Sequence, residues 1–209
     1  MKALAALVVA CLVAGCVSSG SQVAHRYYVL EARGHEGPTS AERIDATLLV
    51  APTTASSFYA NTEIAYSRGE GVRSYYQFSS WTESPELAIN TQLISRLEQG
   101  SHFRMVVPAA AGIPGDLLLT TTLDEMYHDA AAPPGVSRLR LSAQLSNPGM
   151  RSLIARRTFD VSLPAPSFDA AGAVQGLRDA LGEVLGQVTA WVNEYPTSAA
   201  ASPNTRPGK

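Results

Sequence analysis

The side chains best suited to catalysis or metal binding are four histidines, and their spacing argues against both roles. None of His25, His35, His102 and His128 has a second ligand at the spacing that a metal site requires. Asp129 follows His128, but no serine lies in the Gly-x-Ser-x-Gly turn that could complete a triad. We therefore interpret His128 as a solvated loop histidine. The sequence predicts no catalytic residue, no metal site and no enzymatic activity.

The carboxylates and the glycine-rich turn also do not form a catalytic or phosphate-binding site. Asp124 and Glu125 are adjacent on a predicted strand, so alternation should place their side chains on opposite faces of a sheet. The glycines of residues 69–71 form a turn and no phosphate-binding loop is present. If a nucleotide drives the system, another subunit must hydrolyse it.

Cys16, near the N-terminus, indicates a different chemistry. An apolar run over residues 3–10 follows Lys2 and leads into Leu-Val-Ala-Gly-Cys at residues 12–16, a pattern typical of a secretory signal peptide. The run is shorter than the ~20 apolar residues that span a bilayer. A cysteine directly after two small residues resembles a bacterial lipobox, in which cleavage precedes the cysteine and lipid is attached to it. An ordinary signal peptide with a chance cysteine is the alternative interpretation.

We therefore predict four segments: a signal peptide over residues 1–15, a lipidated flexible linker over 16–24, one domain over 25–195, and a disordered tail over 196–209. The chain has 209 residues, a formal charge of −2 and no basic block, which makes nucleic acid an unsuitable partner. Cys11 leaves with the leader and Cys16 carries a covalent N-acyl diglyceride. No thiol then remains for a disulfide or a thiolate zinc site.

Within the domain, strand and helix patterns succeed one another. Alternation and aromatic or β-branched content predict strands over 25–30, 44–50, 63–66, 72–78, 103–107, 117–124, 138–145 and 153–163. Ser84, Pro85 and Glu86 predict a helix start whose serine caps free amides, and Gly100 ends that helix. The apolar periodicity of 169–194 predicts a second, amphipathic helix. Short polar turns favour an antiparallel meander for the last three strands.

The second helix contains four glycines, Gly172, Gly176, Gly182 and Gly186. Each costs up to about 1 kcal/mol relative to alanine in a helix interior. Close approach to a sheet or another chain would explain them, and chance composition is the alternative.

Residues 56–81 are rich in aromatic side chains, and two interpretations remain open for them. In the first, they are sheet and core residues, since aromatics favour strands. In the second, some of them line a groove for an acyl chain or contact a partner. The candidates for such contact are Tyr59, Tyr66, Tyr76, Phe78 and Trp81.

The order of these motifs behind Cys16 resembles the auxiliary lipoproteins of ABC-type transport systems. It is similar to the PqiC-like group that accompanies MCE-domain lipid transporters. The resemblance spans residues 26–194 and rests on segments 26–30, 48–52, 64–66 and 76–78, on Trp81, Pro85, Leu93, Leu97 and Phe103, and on Trp191 in the last helix. At residues 56–59 the chain departs from the family pattern, where proline and leucine are expected.

The resemblance implies an α+β fold of the α/β-sandwich type, with a mostly antiparallel sheet and two amphipathic helices packed on one face. It implies a lipid-anchored, non-ATPase accessory of a system that moves lipids or other hydrophobic molecules between the inner and outer membranes. Its partners would be an MCE-domain protein, ABC or integral-membrane transporter subunits, and the membrane itself.

Val17 after the cysteine favours, by resemblance to enterobacterial sorting rules, the periplasmic face of the outer membrane. A homo-oligomeric ring is a further hypothesis, because the end of a tunnel needs a symmetric collar. The alternative function is a stand-alone envelope lipoprotein for ligand binding or envelope assembly.

Overall fold

A computed structural model describes residues 24–34 and 43–195. The predicted signal peptide, Cys16, residues 17–23 of the linker, His35 and the predicted tail lie outside the described residues. Those residues form nine strands: β1 Arg26–Tyr28, β2 Ile44–Val50, β3 Thr54–Ala55, β4 Glu63–Ser67, β5 Ser74–Trp81, β6 Phe103–Pro108, β7 Leu117–Asp129, β8 Val136–Asn147 and β9 Ser152–Pro164. They also form the helices α1 Pro85–Gly100 and α2 Ala170–Asn193, with a short 3-10 turn at Ala109–Ala111.

All nine strands belong to one mixed sheet built around β7. On one side β7 pairs antiparallel with β8, which pairs antiparallel with β9. On its other side β7 meets β2, β3 and β4 in succession, each parallel to it. The sheet continues from β2 to β6, and from β4 through β5 to β1. The strand β1 is therefore an edge strand.

The α+β class is confirmed, and the long β7–β8–β9 meander is antiparallel as predicted. The shorter ladders that join β7 to β2, β3 and β4 are parallel, as are β1–β5 and β2–β6. Turn length could not predict these ladders, because strands adjacent in the parallel part are separated by long stretches of sequence.

Both helices bury their apolar sides against one face of this sheet, here called the inner face. The alternating leucines of β7 and β8 are fully covered there, as Leu119, Leu123, Leu139 and Leu141 show. The predicted apolar stripe of α2 is buried along its length: Val174, Leu177, Leu181, Val184, Leu185, Val188, Trp191 and Val192. Burying a large apolar side chain stabilises the fold by about 1.5–3 kcal/mol, so this shared core fixes the helices on the sheet.

The helix ends differ in how their free amides are satisfied. Asp169 caps α2 by accepting a hydrogen bond of 2.8 Å from the Gly172 backbone N–H, and the Ser167 hydroxyl donates to the same carboxylate oxygen at 2.7 Å. Ser84 precedes Pro85 as predicted, but its side chain makes no capping hydrogen bond. The predicted serine cap of α1 is therefore wrong, although the helix begins where the sequence placed it.

Candidate functional site

The five aromatic residues suggested as contacts occupy different parts of the sheet. Trp81 is 3% exposed and belongs to the core. Tyr66 and Tyr76 pack against each other on the inner face, with ring centroids 4.8 Å apart. Tyr59 lies in the loop before β4, with Phe58 edge-on to it at 5.2 Å. Phe78 is 42% exposed. The structure therefore does not bring these side chains into one groove.

Tyr76 contacts His128, which is fully buried on β7 rather than solvated in a loop. The interpretation of His128 as a loop histidine is wrong, because β7 extends to Asp129 and His128 faces inward. The Tyr76 hydroxyl lies 2.7 Å from Nδ1, and the Pro134 carbonyl lies 3.3 Å from Nε2. Burial lowers the pKa of His128, and the hydrogen bond to Pro134 opposes that shift in part. Both ring nitrogens are engaged, so the imidazole is occupied by structural contacts.

Asp129 cannot assist His128, because it lies on the opposite, outer face of the sheet. Its carboxylate accepts a hydrogen bond of 3.0 Å from Arg138. Arg138 pairs with Tyr127 in the β7–β8 ladder, so it reaches Asp129 diagonally. The pair is partly exposed and its stabilisation is expected to be small.

Asp124 and Glu125 face the same side of the sheet, which contradicts the sequence prediction. The β7–β8 register shifts between Leu123 and Glu125, so Asp124 is an extra residue in a β-bulge. Asp124 accepts a hydrogen bond from the Ser142 hydroxyl at 2.6 Å. Glu125 lies 3.9 Å from the Arg140 guanidinium. Alternation fails at this point because a bulge moves one residue across the pleat.

Beside Glu125, Arg73 forms a small cationic–aromatic cluster on the outer face. Its guanidinium carbon lies 3.7 Å from the centroid of the Tyr127 ring, and a terminal nitrogen lies 3.8 Å from Glu125. Burial raises the pKa of the nearby Tyr59 phenol, and Arg73 opposes that shift. Glu125 thus compensates the charge of Arg73, although the buried Nε of Arg73 has no hydrogen-bond partner among the described residues.

A more exposed group of side chains lies at the free edge of the sheet, where β1 pairs with β5. Tyr27 is opposite Ser80 in the parallel register, and the His25 ring lies 4.8 Å from that of Tyr27. The His25 Nε2 atom is 2.9 Å from the Ser80 hydroxyl. Phe78 lies two residues before Ser80 on β5 and is also exposed. We call His25, Tyr27, Phe78 and Ser80 the edge patch.

Of the edge patch, the sequence suggested only Phe78 as a contact residue. Tyr27 is the most exposed of the large apolar or aromatic side chains described, at 69%. His25 and Tyr27 were predicted as strand residues without a further role. The sequence feature that could have identified them is their position, because they are the first aromatic residues after the predicted linker.

Directly after β1, residues 29–34 form a strap between the two helices. The side chain of Gln92 on α1 donates to the Leu30 carbonyl at 2.7 Å and accepts from the Ala32 N–H at 2.6 Å. The Arg178 side chain on α2 donates to the Val29 carbonyl at 3.0 Å, and its own carbonyl accepts from the Arg33 N–H at 3.1 Å. The strap is thus held by both helices.

Three of the four glycines of α2 lie where a neighbouring segment approaches the helix closely. A β-carbon on Gly182 would collide with the Arg33 carbonyl of the strap, and one on Gly176 would collide with the Ser137 side chain of the sheet. At Gly172 the obstacle is the backbone of Ser167. At Gly186 nothing lies within 4 Å. Close approach therefore accounts for three of the glycines and leaves the fourth unexplained.

A groove of about 880 Å³ lies beside the strap and α1. Its wall combines strap residues with polar side chains of α1, including Gln92, Arg96 and Gln99. Arg96 spans it by donating to the Gly34 carbonyl at 2.9 Å. The groove therefore offers hydrogen-bonding groups together with apolar side chains such as Val29 and Leu185.

The described residues contain neither a cluster of metal ligands nor a membrane-spanning helix. Within residues 24–34 and 43–195, no group of three or more His, Cys, Asp or Glu side chains is placed to hold a metal ion. Neither described helix is long and apolar enough to cross a membrane. Cys16, the predicted lipid attachment site, lies outside the described residues.

Comparison with known proteins extends these observations. A family model described as "ABC-type transport auxiliary lipoprotein component" matches residues 28–189. The crystal structure of protein XCC0632 from Xanthomonas campestris aligns with a TM-score of 0.73 at 19% identity, covering 81% of this chain and 95% of that one. No functionally curated protein matches the chain.

Two other structures are similar. The crystal structure of an uncharacterised protein aligns with a TM-score of 0.60 at 16% identity, covering 83% of this chain and 99% of that one. The PelC dodecamer from Paraburkholderia phytofirmans aligns with a TM-score of 0.44 at 13% identity, covering 73% of this chain and 93% of its own. The alignments with XCC0632 and with the uncharacterised protein show a shared fold.

Proposed function

Because the chain belongs to the family of ABC-type transport auxiliary lipoprotein components, we propose that it is the lipid-anchored accessory of an MCE-type transport system. Such a system moves lipids or other hydrophobic molecules between the inner and outer membranes. The observation that carries the proposal is the family match, which spans residues 28–189 and so includes nearly the whole described domain. The MCE partner, the cargo and the outer-membrane location are parts of the proposal.

The role we propose is positional rather than chemical. His128, the histidine with a neighbouring carboxylate, uses both ring nitrogens in structural contacts. A domain anchored at the outer membrane can contact a transporter that extends from the inner membrane, and this contact requires no catalytic group. An N-acyl diglyceride on Cys16 would provide the anchor, since several acyl chains on one residue give lasting attachment.

Self-association is a second part of the proposal. The strand β9 runs over 13 residues and pairs with β8 alone among the described strands. Unpaired backbone groups on an edge strand can pair with another strand, and a second copy of the same chain presents such an edge. Cross-linking that gives only monomers, with and without the transporter, would contradict this part.

The decisive experiment is a cross-linked pull-down of the full-length lipidated protein from its own membranes. We expect an MCE-domain protein and an ABC permease in the eluate, and their loss when the anchor is removed by Cys16→Ser. The matched control is Met150→Ser, which alters an exposed side chain of the β8–β9 turn and leaves the anchor intact. Recovery of no transporter subunit with the wild-type protein would favour a stand-alone envelope lipoprotein.

A further inference from the structure

We propose that the edge patch lies against the surface of the phospholipid bilayer that carries the Cys16 anchor. This inference rests on the proposed acylation of Cys16 and goes beyond it by assigning a bilayer contact to folded residues. His25, Tyr27, Phe78 and Ser80 would meet the interfacial layer where headgroups and acyl chains adjoin.

Only a short stretch of chain separates the predicted anchor from the patch. Eight residues, 17–24, separate Cys16 from His25. Their full extension is about 3.3–3.6 Å per residue, so the patch stays within about 30 Å of the anchored cysteine. A flexible chain of this length has a root-mean-square span of about 14–17 Å. The edge patch is therefore the described surface nearest to the anchor along the chain, and it lies within reach of the same bilayer.

The exposed side chains of the patch include aromatic rings suited to a membrane interface. Tyr27, which pairs with Ser80, is 69% exposed, and Phe78 on β5 is 42% exposed. Aromatic rings with an apolar body and a polar tip concentrate at membrane interfaces, where the ring leaves water and the tip stays hydrated. The rings of His25 and Tyr27 lie 4.8 Å apart, so they present one continuous aromatic surface.

The charges around the patch do not favour anionic lipid. Glu63 on β4 lies opposite Ser80, whereas Arg26 alternates to the other face of β1, where its charge acts on Asp169. The contact should therefore depend on burial of the rings rather than on attraction to anionic lipid. High salt screens exposed charges strongly, with a Debye length of about 3 Å at 1 M, and should leave the contact in place.

The size of β1 favours a bilayer over a protein at this edge. The strand has only three residues, Arg26–Tyr28, and so offers few backbone groups for an added strand. A peptide that extends a sheet obtains its affinity mainly from such main-chain hydrogen bonds. An interfacial layer needs no register and can cover a short, irregular edge.

The test uses a single labelled cysteine in the full-length, lipidated protein. Ser80→Cys introduces a thiol within the patch, and acylated Cys16 is the only other cysteine of the processed chain. Thr158→Cys is the matched control, because it lies on the same sheet face but on β9, at the opposite end of the sheet. Each variant carries an environment-sensitive fluorophore and is reconstituted in vesicles of phosphatidylethanolamine with a minority of phosphatidylglycerol.

Headgroup-region quenchers in these vesicles should reduce the fluorescence of the residue-80 label by about half, because a group in the interface lies within the same layer of about 5–10 Å. The residue-158 label should be unaffected. Adding Tyr27→Ser and Phe78→Ser to Ser80→Cys should abolish the quenching. Both serines replace exposed rings, and a circular dichroism spectrum and an unfolding curve like those of Ser80→Cys alone would confirm the fold.

The outcomes separate this inference from the proposed function. The mass of the N-terminal peptide reports acylation of Cys16 directly. An unacylated peptide would refute the proposed anchor. Acylation with no quenching at residue 80 would overturn the bilayer contact alone. Protection of residue 80 in native membranes but not in protein-free vesicles would assign the edge patch to a protein partner and would also overturn it.

Discussion

The hydroxyl of Tyr76 and Nδ1 of His128 are 2.7 Å apart, and this contact joins the β4–β5 hairpin to the central strand β7. With the Pro134 carbonyl 3.3 Å from Nε2, a neutral imidazole protonated on Nε2 satisfies both partners. The aromatic ring of Phe168 packs edge-on against the same imidazole at 5.9 Å. Three separate segments of the chain therefore converge on one buried histidine.

Tyr76→Phe should lower the free energy of unfolding by about 1–3 kcal/mol, because it leaves a buried imidazole nitrogen without its hydrogen-bond donor. Tyr66→Phe is the matched control, since the Tyr66 ring packs on Tyr76 but its hydroxyl makes no hydrogen bond to the described residues. Urea unfolding of the two variants measures the difference. Equal losses would mean that the Tyr76 hydroxyl contributes nothing specific.

Acidification should destabilise the protein through His128. Burial lowers its pKa below the ordinary value of 6.5, so the unfolded chain binds more protons than the folded one. The free energy of unfolding should then fall as pH drops below about 6.5, by at most about 1.4 kcal/mol per pH unit, until the lowered folded-state pKa is reached. The measurement compares urea midpoints across this range with those of His128→Gln, whose side chain does not titrate. Parallel curves for the two proteins would contradict the prediction.

Gly182→Ala should destabilise the fold, because its β-carbon would meet the Arg33 carbonyl and force the strap away from α2. Gly186→Ala is an internal control in the same helix. It has free space around it and should gain up to about 1 kcal/mol from better helix propensity. Hydrogen exchange at the Arg33 amide, which donates to Arg178, should accelerate only in the first variant.

Asp169→Ala should cost about 0.5–2 kcal/mol by removing the α2 cap, whereas Asp169→Asn should retain most of it. The hydrogen bond from the Gly172 N–H, aided by Ser167, lowers the pKa of Asp169. Because the folded-state pKa is the lower one, the carboxylate's contribution is complete well above pH 3.8 and disappears as pH falls through the folded-state value. Thermal unfolding of the three proteins at neutral and acidic pH checks both statements.

Cys16→Ser should leave the protein unprocessed, or release it to the aqueous fraction, without changing the unfolding curve of the domain. The reason is that the thiol accepts the acyl groups, and a serine hydroxyl does not replace it. Membrane fractionation with mass spectrometry of the N-terminal peptide provides the measurement. A correctly cleaved serine variant that stays fully membrane-bound would refute the lipoprotein assignment of this residue.

Local patterns predicted most elements of the fold. Pro85 and Gly100 bounded the first helix because proline and glycine act through their own backbone, and the eight-residue apolar stripe of α2 needed only its periodicity. The bulge at Asp124 was missed because a sequence does not show when one residue drops out of alternation. The burial of His128 was missed for a related reason, since its partners Tyr76 and Pro134 come from other segments.

The candidate site was less predictable than the fold. The composition of residues 56–81 singled out aromatic side chains, but only the strand order shows that Trp81 faces the core and Phe78 the surface. The exposure of Tyr27 follows from β1 lying at a sheet edge. Edge position depends on which distant strands pair, and no single segment encodes that.

The strap has a mechanical consequence for an anchored domain. A pull on the N-terminus would first strip the three residues of β1 from β5, lengthening the tether by about 10 Å at 3.3–3.6 Å per residue. It would then load the hydrogen bonds that Gln92 and Arg178 make to residues 29–33, which flank the buried side chain of Leu30. The load would be divided between two helices that are themselves packed together. Under load, β1 would therefore extend first, and the strap would resist further extension.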